Sequence, residues 1–285
     1  PGLIQAERVR GTAADSLHFR CSAGSALRFL RAPDFRVENC VMERLGAGGV
    51  VALESCSAQI RNNRIEEIGL LCASAIPILA GGYSELMYVQ LGSRPEQGKT
   101  VIEGNLIRHA PYCGIVCGGG GHEIVGNRIS NVMKVLHDGA GIYVSRGERV
   151  RVADNVVSAP TGASVKQAHA IYLDELCCGC TVENNTMEGS VPFLAHFACR
   201  NMLRKNLIRN PETLTLEFAG CREFSVDGNT IETGGEVRLL GLPPENFTGN
   251  RVLAPNGGVV FKPLDNPMQF AVKNGELCCF ANVQA

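Results

Sequence analysis

One six-residue pattern, apolar-x-x-Asn-x-apolar, recurs along the chain and constrains its fold more than any other feature. It reads Ile60…Asn63…Ile65, Ile102…Asn105…Ile107, Ile124…Asn127…Ile129 and Val152…Asn155…Val157. It continues as Val182…Asn185…Met187, Leu203…Asn206…Ile208, Val226…Asn229…Ile231 and Phe247…Asn250…Val252, and an earlier copy, Val37…Cys40…Met42, carries Cys. The anchors step by 23, 42, 22, 28, 30, 21, 23 and 21 residues, and counting the 42-residue step as two coils gives a mean of about 23. That period is too short for a tetratricopeptide or ankyrin unit, and the leucine-rich frame L-x-x-L-x-L is missing. Asn suits a solenoid corner, because it tolerates the left-handed conformation and bonds nearby backbone. Stacked copies would form a ladder.

Between anchors lie short β-like runs with Gly breaks, such as Gly141-Ile-Tyr-Val144 and Ala170-Ile-Tyr-Leu173. Their alternation has the period of two of a half-buried strand. The expected fold is all-β: a single-stranded right-handed parallel β-helix of roughly ten coils, one domain over 1–285 with irregular ends at 1–30 and 255–285. Ser84–Leu91 is long enough for two helical turns inside the 42-residue step, and 66–100 reads as one coil plus an excursion. The steps from 127 to 155 and from 155 to 185 imply inserted loops, a common place for function on a rigid scaffold.

Composition narrows the partners. Lys+Arg 27 against Asp+Glu 28 leaves a net charge of −1, which gives no general electrostatic case for nucleic acid or an acidic membrane. No apolar run approaches the roughly 18–20 residues of a membrane helix; the longest, Gly69–Gly82, is broken by Ser74 and Pro77. The chain starts at Pro1 rather than Met, which reads as processing or trimming and leaves a preceding signal peptide open. Thirteen cysteines cannot all pair. Cys177-Cys178-Gly-Cys180 has no second Cys/His pair at metal spacing, so buried thiols are expected rather than a metal site, and no cofactor is implied. Cys56, Cys178 and Cys199 lie seven residues before an anchor and Cys221 eight before, the phase of an interior thiol column.

Several motifs fail on inspection. Ser93–Thr100 nearly matches a phosphate loop, but its first Gly is displaced and a strand follows where a helix is needed. Gly118–Gly121 lacks dinucleotide spacing and reads as a corner of close approach. Arg146, Lys166 and Arg238 could serve a lyase as bases, but no Asp-dense calcium cluster accompanies them.

Two segments concentrate the reactive side chains: His137-Asp138-Gly-Ala-Gly-Ile-Tyr143-Val-Ser145-Arg146 and His169-Ala-Ile-Tyr172-Leu-Asp174-Glu175. Their shared Ile-Tyr sets a register that places Ser145, Asp174, His196 and Ala219 in one outward column. Tyr143, Tyr172, Leu194, Glu217 and Arg238 fall in the column two residues earlier. Tyr143 and Tyr172 are suited to stacking on a sugar ring, and Arg146 or Arg238 to binding hydroxyls or a carboxylate. Glu175, His196 and Glu217 complete the lining. Glycoside hydrolysis usually needs two carboxyls, and Asp138 and Asp174 are the candidate pair, with a neighbouring His196 able to tune Asp174. By parity Asp138 faces inward, unless Gly139-Ala140-Gly141 turns a corner and returns it to the face.

At these residues the chain resembles the right-handed β-helix proteins of bacterial glycan metabolism, including glycoside hydrolase family 141. Those carry Asp-x-Gly-x-Ile-Tyr followed one coil later by Gly-Ile-Tyr-Leu-Asp-Asp. Here the segments read Asp138-Gly-Ala-Gly-Ile-Tyr143 and Ala170-Ile-Tyr-Leu-Asp174-Glu175, with Ala170 and Glu175 standing where Gly and Asp are more usual. The resemblance spans about residues 35–210, including Gly81-Gly82 and Arg200–Asn206. It implies that Asp138 and Asp174 are catalytic and that the substrate is an oligo- or polysaccharide of the kind met by α-L-fucosidases and xylanases. It also leans toward a secreted or cell-envelope protein, while the free-looking cysteines lean toward a reduced environment, which leaves the compartment open. A polysaccharide lyase or epimerase, and a non-catalytic glycan-binding or structural solenoid, are the alternatives.

Overall fold

The computed structural model describes residues 2–55, 57–81, 98–158 and 168–264, and the backbone of 269–273 and 276–280. Three parallel sheets of 11, 10 and 10 strands run along the molecule, and every third strand in sequence joins the same sheet. This is a parallel β-helix of ten full coils, with the first strand of an eleventh. Sheet A is built from strands such as Ile115–Gly120, Gly139–Glu148, Ala168–Leu173, Phe193–His196 and Leu214–Ala219. Sheets B and C are two-to-five-residue strands meeting at the Asn corner, as in Arg151–Ala153 and Val156–Ser158.

The repeat explains the core. Its first apolar position points inward from sheet B (Val37, Ile60, Ile102, Ile124, Val152, Val182, Leu203, Val226) and its last from sheet C (Met42, Ile65, Ile107, Ile129, Val157, Met187, Ile208, Ile231); all are buried. Ile78, Ile115, Ile142, Ile171, Phe193, Leu216 and Leu239 pair rung to rung from sheet A. Such continuous apolar columns are what a parallel sheet closed on an interior requires.

The Asn ladder is continuous from Asn63 to Asn250. Asn155 is representative. Its Oδ1 accepts the Asn127 backbone N–H at 2.8 Å and the Asn127 carboxamide at 3.0 Å, while its own Nδ2 donates to Ile124 O and to Asn185 Oδ1, both at 2.9 Å. Corner geometry differs from expectation by one residue. The left-handed position is the residue before each anchor: Asn39, Asn62, Gly104, Gly126, Asp154, Asn184, Lys205, Gly228 and Gly249 all have φ between about 54° and 66°. Gly, Asn and Asp dominate it because only they take that conformation cheaply. The anchor is selected for its carboxamide.

Three further expectations change. Asn63 bonds Asn105 directly and Arg64–Glu66 pairs with Leu106–Arg108, so the 42-residue step is one coil, not two. The extra length enters between Ile78–Gly81 and Val101–Glu103, and the helical reading at 84–91 lies outside the described residues. Residues 2–30 are not an irregular end, since Gly2–Glu7, Ala13–Asp15 and His18–Ser22 pair in register with the next coil. At the other end Val259–Lys262 still joins sheet A, and Gln269–Lys273 and Glu276–Phe280 then pair antiparallel.

The glycine run at 118–121 serves close approach between coils: a Cβ on Gly81 would lie 2.8–3.1 Å from Gly118 backbone atoms. Cys178 and Cys199 stack on adjacent coils, but Arg222 takes the next position rather than Cys221; Cys56 lies outside the described residues.

Candidate functional site

Sheet A carries the reactive strip on its outer face. Tyr143, Tyr172, Leu194, Glu217 and Leu240 occupy one column, rung by rung. Arg238 does not belong to it; it pairs with Thr215, and its Nε bonds Glu236 at 2.6 Å. In the second column Ser145 is paired with Gly118 and His196 with Ala219, and Asp174 follows Leu173, the partner of Val144 and Ala195.

Asp174 is the centre of the strip. It is only 4% exposed, yet each of its oxygens has a donor: the Tyr143 hydroxyl bonds Oδ2, and His196 Nδ1 lies 3.0 Å from Oδ1. Two acceptor oxygens each holding a donor is the arrangement of an ionised carboxylate. The imidazole thereby has its Nδ1 hydrogen fixed on Asp174, and Nε2 is left as its other polar atom.

Two other carboxyls surround this centre. Burial pushes the Glu217 carboxyl above the usual range, against the opposing pull of His196. Glu175 is also raised, first by burial and then by the charge of Asp174, with His196 and Arg146 pulling it back. Arg146 is half-buried, and its backbone N–H donates to Glu175 O at 3.0 Å, which ties the two neighbours together. Asp138 is exposed rather than inward, at φ 58° just before the strand Gly139–Glu148, and its carbonyl accepts the Tyr112 hydroxyl at 2.7 Å. Its charge is felt at Glu175 and His169, so it flanks the strip.

The two tyrosines differ from expectation. Tyr172 is 4% exposed, with Tyr143 and His169 packed edge-on against it at centroid distances of 5.0 and 5.5 Å. It offers no open face to a sugar ring and instead supports Tyr143. Ser145, in the outer column, is likewise buried.

One residue of the site carried no role in the sequence reading. His169 is buried; its Nδ1 hydrogen bonds Val191 O at 2.9 Å, and Nε2 has no partner among the described residues. Burial holds its pKa below the ordinary histidine value, which favours a neutral ring with a lone pair on Nε2. The sequence signal was its place on the Ile-Tyr strand, but strand parity alone does not say that a nitrogen will be left unpaired.

A separate groove of about 580 Å³, lined by Glu188, Arg209, Pro211, Glu232 and Thr233 among others, includes none of these strip residues. Its Arg209 and Glu232 neutralise each other at 2.9 Å, so the unusual electrostatics belong to the strip. Among the described residues no cluster of three or more His, Cys, Asp or Glu is arranged to hold a metal ion.

The fold has solved counterparts. A pneumococcal surface adhesin, PfbA of Streptococcus pneumoniae, superposes with a TM-score of 0.63 at 11% identity, covering 90% of this chain and 71% of its own. The periplasmic alginate epimerase AlgG superposes at 0.56 and 13% identity, covering 88% and 74%. At these identities the likeness is one of fold. No curated protein sequence matches the chain. The family model described as "right handed beta helix region" matches residues 96–262, more than half the chain and all of the strip, and the protein belongs to that family.

Proposed function

We propose that this protein hydrolyses a glycosidic bond in a complex glycan, using Asp174 and Asp138 on the outer face of sheet A. The observation that carries the reading is the set of carboxyls in one strip with opposed environments. Asp174 has a donor on each oxygen, whereas burial raises Glu175 and Glu217. Carboxyls pushed apart in this way are how one site supplies a fixed charge and a proton at the same pH. In this reading Asp174 stabilises the positive charge that develops at the anomeric carbon, and Asp138, exposed at the strip's edge, handles the leaving group or the water. Glu175 and Glu217 hold protons further toward neutrality than free carboxyls do, so less negative charge accumulates beside Asp174. Arg146 and Tyr143 orient hydroxyls. The family resemblance at Asp138 and Asp174 supports the same pair.

The test is sugar release from a panel of plant and host glycans by wild type, Asp138→Asn and Asp174→Asn, each checked for fold by circular dichroism. The reading expects release to fall by roughly 10²–10⁴ in each folded variant, the range for a positioned acid or base. Unchanged release in either would remove that residue from the chemistry.

A second reading is favoured by His169. Its neutral Nε2, without a partner among the described residues and near Asp138, would suit abstraction of a proton beside a uronate carboxylate, the step of a lyase or epimerase. An unsaturated or epimerised uronate product that disappears in His169→Gln would establish it over hydrolysis. Binding of glycans without any product would leave the non-catalytic solenoid.

A further inference from the structure

Cys178 and Cys199 form a bridge pair on adjacent coils, and their Sγ atoms lie 3.2 Å apart. Parallel neighbours stand about 4.8 Å apart, inside the roughly 4.4–6.8 Å between Cα atoms that a disulfide spans. Among the described residues, Glu148 precedes this pair of thiols in the column and Arg222 follows it. The nearby cysteines point elsewhere: Cys177 and Cys180 are buried in the core with their Sγ atoms on Val144 O and Gly147 O, at 3.3 and 3.2 Å. Cys178 is partly exposed, so a small reagent can reach it. The Arg200 guanidinium sits within electrostatic reach of both sulfurs and opposes the effect of burial on Cys199.

We propose that Cys178 and Cys199 are a disulfide-forming pair, closed by exchange with a low-molecular-weight disulfide of the oxidised glutathione class. The Cys178 thiolate attacks one sulfur of that reagent and displaces a thiolate, leaving a mixed disulfide on Cys178. Cys199 loses its proton and attacks the Cys178 sulfur, and the second reagent thiolate departs. Two protein thiols are oxidised to one disulfide, the reagent is reduced to two thiols, and the two protons end on those thiols. Burial raises the Cys199 thiol to about 12, which makes Cys178 the first attacker and Cys199 the resolving partner. The bond would staple the coil of Asp174 to the coil of His196, because Cys178 follows the one by four residues and Cys199 the other by three.

The experiment treats the whole protein with oxidised glutathione, quenches with acid, alkylates the remaining thiols in denaturant and measures intact mass. Cleavage after Glu183 and Glu188, which lie between the two cysteines, then separates their peptides unless they are linked. The expected result is loss of two hydrogens, a linked pair that fragments at Cys178 and Cys199, and a raised melting midpoint; Cys178→Ser and Cys199→Ser should each lose all three. A wild type that stays fully alkylatable, that stops as a glutathione adduct, or that links other cysteines overturns the proposal. The mapping of the wild type stands even if a variant fails to fold.

Discussion

Glu217 faces the strip half-buried, and its cost to the fold can be separated from its use. Its folded pKa is raised by burial, so between the unfolded value near 4.3 and the folded one the native state binds more protons than the unfolded chain. Stability from this group is therefore present in acid and declines as pH rises through the folded value. Glu217→Gln should raise the melting midpoint at neutral pH and leave it little changed near pH 4. After allowance for solvent screening at a half-exposed site, the gain is below about 1 kcal/mol. A larger gain in acid than at neutral pH would show that desolvation is not the cause. His122 makes the opposite case. Its Nδ1 accepts the Thr100 N–H at 3.0 Å and its Nε2 donates to Gly118 O at 3.1 Å, so both nitrogens are committed in the neutral ring. Burial lowers its pKa, and below the unfolded value of about 6.5 the unfolded chain binds more protons, so stability falls with pH. His122→Asn can keep the accepted bond, as Asn201 does for Cys180 N–H in the same corner column at 2.7 Å. The variant should lose less stability than wild type on going from about pH 7.5 to 5.5; melting curves with equal losses would sink the argument.

The corner ladder is the element that the sequence displays most openly, because one side chain does one job on nearly every coil. Asn155→Ala would strip the Asn127 amide and carboxamide of their acceptor inside a closed corner. With unsatisfied buried donors at about 1–3 kcal/mol each, chemical denaturation should register about 2–4 kcal/mol of destabilisation. Asn250→Ala, at the half-buried end of the ladder, should cost less. Cys40→Asn runs the other way: the Asn63 Oδ1 already accepts the Cys40 N–H at 2.9 Å, and Cys40 Sγ lies 3.6 Å from Ala14 O, where a carboxamide would donate. It should stabilise by about 1 kcal/mol, and a lower melting midpoint would refute it. The opposite corner was illegible for a chemical reason. Thr100, His122 and Asn201, each two residues before the sheet B apolar position, all accept a backbone N–H from the coil before. Three residue types sharing one role leave no repeated letter to find. In the strip, aligning coils on Ile-Tyr brought Asp174 and His196 together. It could not foresee the Tyr143 bond or the burial of Tyr172, which depend on how side chains lean out of a column. Arg238 was misplaced because the spacing from Glu217 to its neighbour was set by a glycine-bearing turn rather than by a motif.

At the scale of the whole molecule, each coil touches only its neighbours, so energy should be nearly one-dimensional. The same locality explains what the repeat hid: the first coil carries Leu17 and the second Cys40 where later coils carry Asn, and the 42-residue step carries its extra length between strands without disturbing the pairing on either side. Val37 and Leu203 occupy one apolar column six rungs apart, about 29 Å at 4.8 Å per rung. Val182 and Leu203 are direct partners in that column. Truncating either distant residue to Ala opens a cavity that the other cannot sense, so the Val37→Ala, Leu203→Ala double variant should lose the sum of the single losses within about 0.5 kcal/mol. The Val182→Ala, Leu203→Ala pair shares one cavity wall and should depart from additivity by about 0.5–3 kcal/mol. Denaturant unfolding of the three single and two double variants decides it. Coupling between the distant pair as strong as between the neighbours would mean that the coils do not act as a nearest-neighbour stack, and that a change at one end is felt across the strip holding Asp174.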